Sequence, residues 1–91
     1  MISADIVKLS LEEFMNLVEK YEDEAVQEYK KKSLAMRSTW IQFWIPMKEN
    51  QCRKCYIDEL KNKYYENGWK QVDINFVQEK NITYLMILLW A

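Results

Sequence analysis

The stretch TWIQFWI, residues 39–45, decides how this chain folds. Read with a period of two, Ile41, Phe43 and Ile45 fall on one side and Trp40, Gln42 and Trp44 on the other. β-branched and aromatic residues dominate, and Pro46, which cannot donate to a ladder, ends the run. The stretch could instead continue the helical segment before it, but a ring-rich run with a period of two favours a strand. The alternation assigns it to a strand.

Upstream, Ser10-Leu11-Glu12-Glu13 has the pattern of a capping box, with Leu9 and Phe14 placed as a hydrophobic staple. From there Leu11, Phe14, Met15, Val18, Tyr21, Ala25, Val26 and Tyr29 fall within an arc of about 140° on a helical wheel. The pattern predicts a first helix ending between Lys32 and Met36, roughly 35 Å long and therefore able to protrude or to pair with another chain. Downstream, Tyr56, Ile57, Leu60 and Tyr64 stripe a second helix over residues 50–67, and Gly68 after Asn67 supplies a left-handed cap. Residues 70–77 alternate as a second strand with Val72, Ile74 and Phe76 inward, and QEKN, residues 78–81, is a turn. Residues 82–90 are apolar on both sides, the mark of a central strand.

These pieces predict one α+β domain over residues 1–91, in the order α-β-α-β-β. Its three-stranded sheet has strand order 1-3-2, a split β-α-β unit with a long N-terminal helix and a right-handed crossover helix. The second helix covers one face of the sheet. Trp40, Trp44 and half of the third strand lie on the other, where the first helix, or failing that a second subunit, is the expected cover.

Composition bounds the function. Ninety-one residues with 49% hydrophobic and 14% aromatic content can build a core without disulfides. The net charge is −1, which gives no overall pull toward nucleic acid or membrane. Locally the charge is split. Residues 1–29 hold eight acids against Lys8 and Lys20, whereas residues 30–54 hold seven bases against Glu49. A dipolar surface of this kind suits a partner or self-association. The start MISAD lacks the features of a secretory leader, and the apolar run 84–91 is too short to span a bilayer, so a cytoplasmic protein with reduced cysteines and no membrane association is expected.

The only cysteines lie in Cys52-Arg53-Lys54-Cys55. Without histidine one chain cannot complete a tetrahedral zinc site of the usual cysteine or cysteine–histidine kinds; only a dimer giving two thiolates per chain could. The succession WIQFWIP, CRKC, YIDELKNKYY, KQVDINFV resembles the strand, C-x-x-C, helix, strand order of thioredoxin and glutaredoxin over about forty residues. That resemblance implies a thiol redox protein acting through Cys52 and Cys55, with Arg53, Lys54 and a helix amino end favouring a thiolate. The chain departs from the family pattern in three ways. Residues 47–51 separate Pro46 from Cys52, no later proline exists to face the pair, and Cys55 falls about 150° from the apolar stripe of its helix. The plain alternative is two ordinary residues of a first helical turn.

No catalytic set appears. Histidine is absent, the carboxylates near the sheet outside turns and caps (Asp58, Glu59 and Asp73) sit on exposed faces, and a single glycine excludes a phosphate-binding loop. No cofactor is expected. The leading reading is a small non-enzymatic macromolecule-binding protein, an inhibitor or regulator of protein–protein interactions comparable in size and composition to phage inhibitors, anti-defence proteins and antitoxins. Its partner is a host or cognate protein, contacted through Glu19, Glu22, Asp23, Glu24, Trp40 and Trp44. Glu22 stands inside the apolar stripe, where a carboxylate is costly unless paired. A homodimer through the first helix or the Trp face is expected. A second reading is a nucleic-acid-binding module in which Lys30, Lys31, Lys32, Arg37, Arg53 and Lys54 accompany exposed rings. The third is the redox protein.

Overall fold

The structure is a computed structural model describing residues 1–91, and its first long helix begins where the capping box specifies. The Ser10 hydroxyl accepts from the Glu13 N–H at 3.1 Å, and the Glu13 carboxylate accepts from the Ser10 N–H at 3.0 Å. These bonds hold the Glu13 carboxyl below its ordinary pKa. Helix α1 runs Leu11–Lys30, about 30 Å. It stops short of the predicted Lys32–Met36 boundary because Arg37 folds back on it. The Arg37 guanidinium donates to the carbonyls of Lys30 (2.9 Å) and Lys32 (3.1 Å), satisfying acceptors that another helical turn would have used. The Tyr29 hydroxyl then donates to the Ser38 carbonyl, tying the helix end to the start of the first strand.

Strand β1 spans Trp40–Pro46, as the alternation predicts. Helix α2 spans Lys54–Glu66 and begins about four residues later than predicted. A 3-10 turn, Glu49–Gln51, precedes it. The N-terminal segment pins this turn: the Leu9 N–H donates to the Gln51 carbonyl at 2.8 Å, and Lys8 Nζ to the Asn50 carbonyl at 3.1 Å. The carbonyls that an earlier helix start would require are thus already engaged. Gly68 follows α2 with φ +93°, the left-handed conformation glycine adopts without penalty.

Strands β2 (Gln71–Glu79) and β3 (Ile82–Trp90) form a hairpin. The predicted four-residue turn is in fact two residues, Lys80-Asn81, because Glu79 and Ile82 still pair. Both turn residues have positive φ, 51° and 65°, the signature of a type I′ turn whose twist matches the strands. Strand order is β1-β3-β2, antiparallel throughout, with Phe43, Ile87 and Ile74 in one cross-strand row.

A single buried cluster joins Phe14 and Val18 of α1, Leu60 and Tyr64 of α2, and the sheet residues Phe43, Ile45, Val72, Ile74, Leu85, Ile87 and Leu89. Both helices therefore lie on the same face of the sheet. This corrects the expectation that α1 covers the Trp face. Each helix carries only one apolar stripe, and both stripes meet the same three rows of β-residues. β3 is central, yet only one of its faces is covered.

Two substitutions test this account. Lys80 bears a side chain in a conformation that costs non-glycine residues about 1–2 kcal/mol and that asparagine tolerates better. Lys80→Asn is expected to raise the unfolding free energy by up to about 1 kcal/mol, read as a higher urea midpoint at unchanged m. Tyr64 is buried with its hydroxyl lacking a hydrogen-bond partner. Tyr64→Phe is expected to leave stability unchanged or raise it by about 1 kcal/mol, whereas Tyr64→Ala costs about 3–5 kcal/mol; both are read from the same melts.

Candidate functional site

The uncovered face is built in rows by the strand register. Trp40, Trp90 and Gln71 form one row, Gln42, Leu88 and Asp73 the next, then Trp44, Met86 and Asn75, then Pro46, Tyr84 and Val77. Successive side chains on a strand alternate, so this face is the complement of the buried set. Apolar residues occupy the β1–β3 side, and the β2 side is polar through Gln71, Asp73 and Asn75. The rings associate with one another and not with the core. Trp40 and Trp90 approach to 6.0 Å between centroids, and Trp44 and Tyr84 to 5.3 Å, both tilted. Trp40 remains 39% exposed, Trp90 37% and Ile82 48%, while Trp44, Tyr84, Met86 and Leu88 are half-buried. A contiguous apolar stripe of this kind on a sheet is unusual for a surface left to water.

Of the acidic residues singled out in the sequence, only Glu24 approaches this region. It lines a groove of about 690 Å³ between α1 and the outer edge of β1, together with Tyr21, Glu28, Tyr29 and residues 40–44. Glu19 and Asp23 are exposed along α1. Glu22 is half-buried and acts on Tyr64 of α2. Burial first, and then the charge of Glu22, hold the Tyr64 phenol far above its ordinary pKa. The Glu22 carboxylate is close enough to exert this effect without accepting a well-formed hydrogen bond from the hydroxyl. The carboxylate on the apolar stripe thus faces an element of its own chain.

The bases divide into two groups at opposite ends of β1. Lys30, Lys31, Lys32 and Arg37 gather where α1 ends, and Arg37 also lies 5.7 Å from the Tyr29 ring centroid. Lys31 pairs with Glu28 at 3.0 Å on an exposed surface. Arg53 and Lys54 stand at the start of α2, where Arg53 lies 3.8 Å from Asp5. The length of β1, about 20 Å, separates the groups. No lysine or arginine occurs in the four rows of the open face.

Cys52 and Cys55 are free thiols with opposite environments, Cys52 buried and Cys55 exposed. Because α2 begins at Lys54, Cys52 precedes the helix instead of sitting in its first turn. Its Sγ donates to the Arg53 carbonyl at 3.4 Å, and it belongs to the core cluster. Desolvation pushes its thiol pKa up, Cys55 adds to the rise, and Lys8 opposes it. A nucleophilic cysteine needs the reverse shift. No three potential metal-ligating side chains of His, Cys, Asp or Glu converge anywhere in the molecule, and no helix is long and apolar enough to cross a membrane.

Compared with known proteins, the chain matches no protein-family model, no curated protein and no solved structure at a significant level.

Sequence reasoning identified Trp40 and Trp44 as candidate contact residues but assigned Tyr84, Met86, Leu88 and Trp90 to a two-sided core. The signal that separates these readings is in β2. Gln71, Asp73 and Asn75 share the face of the tryptophans, and a face that is polar on one edge strand is wet.

The thiol environments are directly testable. In the native chain Cys55 is expected to react with a maleimide within minutes at neutral pH, while Cys52 reacts only on denaturation. The unfolded chain ionises Cys52 in the ordinary thiol range and the folded chain above it. The stability this burial contributes is therefore full below that range and declines as pH rises through it. Cys52→Ser is expected to flatten the decline, measured as urea midpoints between neutral and alkaline pH.

Proposed function

We propose that this is a non-enzymatic protein-binding protein that regulates or inhibits a partner by seating it on the open sheet face. The observation that carries the reading is that face: Trp40, Trp44, Tyr84, Met86, Leu88 and Trp90 lie side by side, and no element of the chain packs over them. Tryptophan and tyrosine are the residues that most often dominate binding energy at protein interfaces, because each removes a large rigid surface from water at small entropic cost. The polar margin of β2 supplies the rim that such interfaces have.

The absence of lysine and arginine from the four rows favours a protein partner over a nucleic acid. Stacked bases bring phosphates with them; within the four rows those phosphates meet Asp73 and no basic side chain, and Lys32 in the groove beside β1 stands among Glu24 and Glu28. The raised pKa of Cys52 favours the same reading over thiol redox catalysis. In size and composition the chain is comparable to phage inhibitors, anti-defence proteins and antitoxins, and the partner proposed is a host or cognate protein.

The test uses the full chain as bait in extract of its native host, beside Trp90→Ala and Tyr84→Ala. Both substitutions lie on the central strand, away from the β1 edge and the core, so the far-UV spectrum is expected to be unchanged. Each is expected to weaken capture by about 2 kcal/mol, roughly thirtyfold in Kd. A partner retained equally by both variants would refute the reading. So would oligonucleotide binding at physiological salt that falls steeply as salt is raised.

A further inference from the structure

We infer that the outer edge of β1 is a homodimerisation edge, pairing antiparallel with β1 of a second copy about a two-fold axis through Gln42. The inference goes beyond the binding role proposed for the sheet face and does not rest on it.

The backbone supplies the first argument. The Met47 N–H donates to the Thr83 carbonyl at 3.1 Å, and the Ala91 N–H to the Thr39 carbonyl at 2.9 Å. Odd-numbered residues of this segment therefore bond to β3, and Trp40, Gln42 and Trp44 direct their N–H and C=O groups away from the sheet. Apart from the Trp40 carbonyl, which accepts from the Ser38 hydroxyl, these outward groups have no partner in the chain. That carbonyl keeps a second lone pair.

The sequence supplies the second argument. Trp40-Ile41-Gln42-Phe43-Trp44 reads almost the same in both directions. An antiparallel pair centred on Gln42 sets each Trp40 against the second copy's Trp44 on the open face, and each Ile41 against the second copy's Phe43 on the helical face. The two Gln42 amides meet at the axis, where each can donate and accept. Both neighbouring registers lose this match. One opposes Gln42 to Trp44 and brings Pro46 into the ladder; the other opposes Gln42 to Trp40 and brings Ser38 in. Aromatic and β-branched cross-strand pairs are the unit of sheet stabilisation, and only the central register makes them throughout.

The two edges of the sheet differ in the expected sense. Edge strands that stay unpaired carry charges or are covered. On β2, Asp73 and Glu79 are charged, and the Tyr65 hydroxyl accepts the outward Val72 N–H at 3.3 Å. Residues 39–47 hold no charge at all. The groove along β1 is lined by strand residues of both parities, Glu24, Glu28 and Lys32 flank it from the α1 side, and no element of the chain is hydrogen-bonded along the edge itself. Pairing yields a six-stranded sheet in which the two Trp faces become one continuous surface.

Sedimentation equilibrium of the full chain across micromolar to millimolar concentration is expected to give twice the chain mass at the upper end. Gln42→Lys places two like charges opposite one another and is expected to give the monomer mass over the same range. If that variant loses its native far-UV spectrum, crosslinking decides. Gln42→Cys in a Cys55→Ser background is expected to yield a covalent dimer with a short bismaleimide, and Glu79→Cys in the same background is not. A monomer at every concentration, a dimer indifferent to a folded Gln42→Lys, or crosslinking from position 79 and not from 42 overturns the proposal.

Discussion

Burial of one side of β3 governs the rest of the structure. Leu85 and Ile87 are fully enclosed and Leu89 is 2% exposed. A three-stranded sheet is only about 15 Å wide at ~4.8 Å per strand. Two helices of about 10 Å diameter laid side by side are enough to roof it. Helix α1 lies over β1 and α2 over β2, and each contributes two buried side chains to the shared cluster: Phe14 and Val18, Leu60 and Tyr64. Neither helix has a second apolar stripe with which to reach the far side. A two-layer packing is therefore complete with one sheet face used, and the composition of the other face is free to serve a different end.

That freedom is visible as a gradient. Across the open face, apolar character falls from β1 and β3 toward β2, where Gln71, Asp73 and Asn75 stand in the same rows as Trp90, Leu88 and Met86. On the covered face no such gradient exists, since Val72, Ile74 and Phe76 continue the apolar rows to the edge. A core has to be apolar everywhere it excludes water. An interface needs an apolar centre and a wettable margin. The covered face follows the first rule, and the open face has the composition that the proposed binding role requires.

Much of this was legible in the sequence because period and caps are local. The alternation in residues 39–45 and 70–77, the capping box at Ser10 and the glycine after Asn67 each act within a few residues, and each appears where expected. The strand order followed from the two-sided apolar run in residues 82–90. The errors lie where distant groups intervene. α1 ends early because Arg37 reaches back to its carbonyls, and α2 starts late because Lys8 and Leu9 engage residues 50–51. The hairpin closes in two residues because Glu79 and Ile82 pair, although Lys80 is a poor candidate for positive φ. The largest difference is on the Trp face, where the two oily sides of β3 suggest α1 or a second subunit as cover and α1 lies on the opposite face. Apolarity states what a surface gains by leaving water, and it does not say which element will cover it.

The side chains that look chemical in the sequence have structural employment in the fold. Arg37 closes the end of α1, Lys8 holds the turn before α2, Cys52 fills a gap in the core, and Glu22 stands at the seam between the helices. The apolar residues of the open face have no such employment: removing Trp90 or Tyr84 leaves the buried cluster intact, because neither belongs to it. A sequence keeps six large apolar side chains, four of them aromatic, on such a surface at a cost in solubility and in specificity of assembly. The same holds for an uncharged, nearly palindromic edge strand beside them. Both features become economical together if another protein surface takes the place of water over them, and neither is explained by the folding of this chain alone.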